Sequence, residues 1–162
     1  MKNKSRFWET VGIALALPIV FAILDLMGMA MWNKIGGWGG TAYTTAMTSY
    51  QSLFWTFAYA VIIAIVLVYY ILDRDKSETL AILIIPLVLL QMGAEDVFFY
   101  FIGGIPLWTD KLPWLTQNLW GPTYISWGFG EPIITGPIII LSAAIGYAVS
   151  YLIARQLVKI KP

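Results

Sequence analysis

The stretch TLAILIIPLVLLQMGAEDVFFYFI, Thr79 to Ile102, decides how this chain is read. It is apolar over more than the roughly 20 residues an α-helix needs to cross a bilayer, yet it holds Glu95 and Asp96 near one end. A helix on the surface of a soluble domain would show a polar face recurring with a period of roughly 3.6 residues. No such face exists here, so the stretch reads as a membrane span that contains two acids.

Three further stretches have the same character: Trp8 to Met31, Ser52 to Leu72 and Pro132 to Leu157. The expected fold is therefore an all-α polytopic membrane bundle of about four transmembrane helices, with spans at about 8–31, 52–72, 79–102 and 132–157. We expect a single domain over 1–162, since no internal repeat is visible. Composition agrees: 59% of the 162 residues are hydrophobic, 12% are charged and the mean hydropathy is +0.76. A soluble domain of this size cannot hide that much apolar surface. The net charge of +1 gives no reason to expect nucleic acid as a partner.

The connections differ. Trp32 to Gln51 is rich in Gly, Thr and Ser, Asp73 to Glu78 is a tight charged turn, and the outer segment Gly103 to Glu131 is long and full of Trp. Within it, Pro113 to Gly121 reads as a short helix, with Pro in the first turn and Gly at the end, lying flat at the headgroup level. It is expected either to anchor the protein or to roof a site.

Orientation follows from the ten basic residues. Lys2, Lys4, Arg6, Arg74, Lys76, Arg155, Lys159 and Lys161 fall on one side, and Lys34 and Lys111 on the other. The positive-inside rule places the first side, with both termini, in the cytoplasm. The expected location is the cell membrane, multi-pass. Of the eight Trp residues, only Trp8 lies on the inner side. The basic N-terminus, its apolar run and Gly28-Met29-Ala30 have the outline of a secretory signal. The run is long enough to span and carries Asp25, so we expect it to stay in place.

Cysteine and histidine are both absent. That excludes thiol nucleophiles, disulfides, Cys/His zinc sites, His-ligated haem and His-based triads. Met27, Met29, Met31 and Met47 are soft ligands for copper, but alternation by two does not line one helical face, so they read as packing. Chemistry is left to carboxylates and hydroxyls.

Ionisable groups inside a span insert at a cost of about 2.5–3.5 kcal/mol and usually face protein or water. Three occur: Asp25, Glu95 and Asp96. Asp25 is seven residues before Trp32 and Glu95 seven before Ile102, so at a ~1.5 Å rise each lies roughly 10 Å below the outer interface. Thr56, Tyr59, Thr135 and Gly136 fall at a similar depth. Gln91 and Glu95 share a helix face, whereas Asp96 points about 100° away from Glu95. Pro18 and Pro86 are candidates to bend their helices and open a cavity.

This cluster defines the candidate site, with Glu95, Asp96 and Asp25 as catalytic or charge-bearing groups. Tyr59, Gln91, Phe98, Phe99, Trp114, Trp120, Glu131 and Thr135 are the candidate ligand contacts. Asp25, Glu95 and Asp96 are also the candidate ligands of a hard divalent cation. The plainer reading is that the acids bond only to one another, to Tyr59 and to backbone groups, partly protonated. Against it, no intramembrane Lys or Arg is present to pair with them. A proton path finds little on the cytoplasmic half beyond Tyr69, Tyr70 and Ser150. Ser142, Gly146 and Ser150 form a small-residue stripe suited to close helix contact, within the bundle or between subunits.

The run Gly93-Ala94-Glu95-Asp96-Val97-Phe98-Phe99 resembles the acidic, aromatic signature of the membrane lycopene-cyclase domain. Asp25, in Leu24-Asp25-Leu26, is similar to an Asp in that family's first helix. The chain departs from the pattern at Ala94, in lacking a second repeat and in its Trp-rich outer segment. The resemblance implies acid-initiated isoprenoid cyclisation, with Glu95 or Asp96 as general acid and Tyr59, Phe98, Phe99 and Trp114 around the substrate.

Three functions are thus expected, in this order. The first is an outward-facing intramembrane carboxylate site that binds a small ligand or cation. The second is a membrane enzyme using carbocation chemistry on an isoprenoid or lipid. The third is an accessory subunit of a larger membrane complex. The implied partners are membrane lipid, a hydrophobic small molecule and further subunits, including copies of the same chain.

Overall fold

The computed structural model describes residues 2–34, 42–72, 74–107, 112 and 119–159, with side chains over 4–31, 50–72, 74–107, 112 and 119–158. Six helices follow in order: α1 (Lys2–Lys34), α2 (Ala42–Ile71), α3 (Lys76–Gln91), α4 (Ala94–Ile102), α5 (Trp120–Gly128) and α6 (Gly136–Lys159). Three segments are long and apolar enough to cross a membrane: Lys4–Met31, Tyr50–Ile71 and Gly136–Val158. A fourth crossing is formed if α3 and α4 count as one bent span.

That fourth crossing corrects the expectation of a continuous helix over 79–102. Its two halves meet at 66°. Pro86 does not cause the bend, because α3 continues through it to Gln91. The break is at Gly93, whose φ of 78° is left-handed, a conformation open to Gly at little cost and disfavoured for residues with a Cβ. The Met92 N–H still reaches the Val88 carbonyl at 2.9 Å, and the Gly93 N–H bonds back to Leu90 at 3.0 Å. The chain then restarts with Val97 N–H to Gly93 O at 3.2 Å. Pro18 likewise lies inside an unbroken α1.

The other boundaries shift for simple reasons. α2 starts at Ala42 rather than near Ser52, because a helix can continue past the apolar stretch that hydropathy detects. α6 starts at Gly136, not Pro132. Residues 131–135 form a turn instead, held by Ser126 Oγ donating to the carbonyls of Glu131 (2.6 Å) and Ile133 (3.2 Å). Most of the expected Pro113–Gly121 helix lies outside the described residues. The observed α5 begins at Trp120, so Gly121 stands in a first turn and ends no helix.

At ~1.5 Å per residue, the 33-residue α1 is roughly 50 Å long and overruns the ~30 Å hydrocarbon layer. The α2–α3 turn is capped by Asp75, whose carboxylate accepts the Ser77 N–H at 2.9 Å. Glu78 stands in the first turn, where an acid suits the positive end of the helix dipole. Glu78 is 3% exposed, so one acid of the charged turn is buried.

Large side chains such as Leu53, Phe101, Tyr70 and Ile71 face outward, while the interior combines Phe21, Ile82 and Leu89 with the small Ala14, Ala22, Ala58, Ala81, Ala94 and Ala154, all fully buried. Lipid offers no hydrophobic drive between helices, so close packing, helped by small residues that let backbones approach, supplies the contact energy. α1 and α6 pack against α3 and α4, whereas α2 packs chiefly on α3. Only 11% of the Tyr50–Ile71 span is buried, against 33% and 39% for the other two, which makes α2 the peripheral helix. The Ser142/Gly146/Ser150 stripe is internal: Ser142 and Ser150 are fully buried. A Cβ on Gly146 would stand 2.7 Å from Met92 Cβ.

Candidate functional site

The break between α3 and α4 places Glu95 and Asp96 in the first turn of α4, two and three residues after the Gly93 cap. First-turn N–H groups of a helix lack intrahelical acceptors and carry partial positive charge. They suit carboxylates, and Asp96 accepts its own backbone N–H there. A polar helix end inside an apolar span thus comes with acids that match it.

α1 brings Asp25 alongside, within electrostatic range of both Glu95 and Asp96. The Asp25 carboxylate accepts a 2.5 Å hydrogen bond from the Tyr50 hydroxyl, which also lies 3.0 Å from the Asp25 carbonyl. Gly28 makes this possible, since a Cβ there would overlap the Tyr50 ring and hydroxyl. On the other side of the break, Gln91 Nε2 donates to Tyr59 Oη at 2.8 Å. Tyr59 in turn lies against Trp55, with ring centroids 5.7 Å apart.

Three acceptors around the break are buried and lack a hydrogen-bond partner: Gln91 Oε1, Glu95 Oε1 and Asp96 Oδ2. Glu95 is 2% exposed. Buried polar atoms are overwhelmingly satisfied in folded proteins, and an unmet acceptor carries a desolvation penalty of about 1–3 kcal/mol. Three together mark a place that requires hydrogen-bond donors.

Among the described residues, no three acidic, His or Cys side chains are arranged to hold a metal ion. The reason is helical geometry: adjacent Glu95 and Asp96 diverge by about 100°, and Tyr50 occupies Asp25. The acids are neighbours without a common focus.

The remaining expected contacts divide. Phe98 packs edge-on against Tyr147 at 6.4 Å, and Phe99 against Tyr100 at 5.7 Å, so both rings are engaged beside the acids. Trp120 is 72% exposed and points away from them. Glu131 is exposed in the α5–α6 turn. Thr135 is half-buried and its carbonyl receives the Ile139 N–H at 3.0 Å, so its visible role is to start α6. Trp114 lies outside the described residues.

α5 is closer to the break than a helix lying flat at the surface would be. A Cβ on Gly121 would collide with Met92 Sδ and come within 3.1 Å of the Gln91 carbonyl. Its neighbour Ser142 is six residues into α6, roughly 9 Å along that helix. The start of α5 therefore abuts the break, while its far end turns at Glu131.

Sequence reasoning missed Tyr50, Gly28 and the break at Gly93. Tyr50 stood just before the expected start of the second span. Gly93, two residues after the polar Gln91 and two before the first of two acids, was the available signal for an interruption. No protein-family model matches the chain, and no curated protein or solved structure matches it.

Proposed function

We propose that this is a multi-pass membrane protein, both termini cytoplasmic, whose carboxyl cluster at the broken third span binds a small ligand rich in hydrogen-bond donors or carrying positive charge. One observation supports the reading above the others: Gln91, Glu95 and Asp96 each present a buried acceptor with no partner. Two of these atoms belong to acids that share electrostatic range with Asp25. Protons, a small monovalent or organic ammonium cation, or a polyhydroxylated molecule would satisfy such a set. A divalent metal has less support, because the acids do not converge.

The test is thermal stability of the purified protein across sodium, potassium, magnesium, calcium and simple alkylammonium salts. A ligand that binds the folded state raises the melting temperature in proportion to RT ln(1 + [L]/Kd). Glu95→Gln and Asp25→Asn are expected to abolish the stabilisation that wild type shows. Equal stabilisation of both variants removes the proposal.

The aromatic surroundings of the acids, with Phe98 and Tyr147 paired beside α4, favour acid-initiated chemistry on an isoprenoid as the second reading. A carotenoid-producing host expressing the chain would then yield a cyclic product, absent with Glu95→Gln. An unaltered pigment profile rejects it.

A further inference from the structure

Away from the carboxyl cluster, where α2 ends and α3 begins, lies a groove of about 610 Å³ lined by Tyr70, Ile71, Arg74, Lys76, Thr79 and Leu80. We infer that it binds the phosphate headgroup and upper acyl chain of an anionic phospholipid. This rests on the orientation proposed above only for naming the inner leaflet.

The groove has two chemistries in the order a lipid presents them. Tyr70 and Ile71 are 77% and 76% exposed at the end of a membrane span and Leu80 is 43% exposed, which gives an apolar wall open to the bilayer. Arg74 and Lys76 stand at the polar rim. Arg74 is held in place: its guanidinium lies 5.5 Å above the Tyr69 ring and 3.8 Å from Glu78. A guanidinium has five N–H donors, so one carboxylate leaves several for a phosphate.

The described acids nearby do not line the groove. Asp75 is turned into the α3 cap through Ser77 N and Oγ, and Glu78 is buried beneath Arg74. Cations rim the opening, while Glu78 is buried and the exposed Asp75 has its carboxylate engaged by Ser77. That complementarity selects an anionic headgroup over a zwitterionic one, and the apolar wall selects a lipid over free phosphate.

The experiment is native mass spectrometry of the full chain in detergent, with phosphatidylglycerol, phosphatidylcholine or inorganic phosphate added. It does not depend on which leaflet the groove faces, so a wrong orientation and a wrong groove fail separately. Wild type is expected to retain phosphatidylglycerol over phosphatidylcholine and to retain no phosphate. Reversing one exposed cation with Lys76→Glu should weaken retention by roughly tenfold. Leu80→Trp, which fills the groove and leaves the charges intact, should also weaken it. Both positions are exposed and spare the Arg74–Glu78 pair. Equal retention of the two lipids, retention of phosphate alone, or unchanged retention in both variants overturns the inference.

Discussion

α1 and the α3–α4 pair both carry carboxyl groups into an apolar segment, and they accommodate them in opposite ways. α1 stays helical from Lys2 to Lys34, so Asp25 finds its neighbours' backbone N–H groups already bonded along the helix. Its partner comes from another helix, the Tyr50 hydroxyl, through a gap left by Gly28. The α3–α4 pair instead breaks at Gly93 and places Glu95 and Asp96 on a fresh helix N-terminus, where first-turn N–H groups lack intrahelical acceptors. An acid in a continuous helix needs a tertiary partner; an acid at a break gets a backbone one. The second device leaves Glu95 Oε1 and Asp96 Oδ2 without partners, which is why the candidate site is centred on the break.

The largest effect is expected from removing the break. Gly93→Val must adopt a left-handed φ of 78° with its Cβ 2.7 Å from Ile139 Cγ1. Backbone strain of about 1–2 kcal/mol adds to overpacking of about 1–3 kcal/mol, so thermal unfolding in detergent should show a drop of about 2–5 kcal/mol. A Gly93→Val protein as stable as wild type would show that the left-handed turn is dispensable.

Next is the tertiary arm. Tyr50→Phe removes the hydroxyl bonded to Asp25 and should destabilise by about 1.5–3 kcal/mol, the range for hydrogen bonds to charged groups. Gly28→Ala should displace the same hydroxyl, so the double variant should lose less than the sum of the singles. Strict additivity would mean that Gly28 does not serve Tyr50.

The smallest effect is expected at the prolines. Pro86→Ala regains a backbone bond while losing some packing, and should change stability by about 1 kcal/mol or less without straightening the span. Spin labels on α3 and α4 would report the angle. A straightened pair would return the bend to Pro86.

How much of this was legible follows from the same contrast. Apolar length marked out the three helices long enough to cross and the bent α3–α4 pair, because hydropathy is a sum over many residues and tolerates local error. The Asp25–Glu95 proximity was legible from residue counting, since both lie seven positions from a span end. Counting along one straight helix could not reveal the 66° bend, which depends on a single φ at Gly93. Hydropathy also sets span ends and not helix ends, so Tyr50 was left outside α2. Counting depth along a helix also says nothing of direction: Glu95 and Asp96 are adjacent in sequence and diverge by about 100° around the helix axis.

The most direct measurement of the central claim is a double-mutant cycle between Asp25→Asn and Glu95→Gln, read as thermal stability. Carboxyl groups that share one buried site predict a coupling above ~0.5 kcal/mol between the two substitutions. Additivity within ~0.3 kcal/mol would mean that α1 and α4 carry two independent acids, and would contradict the shared site.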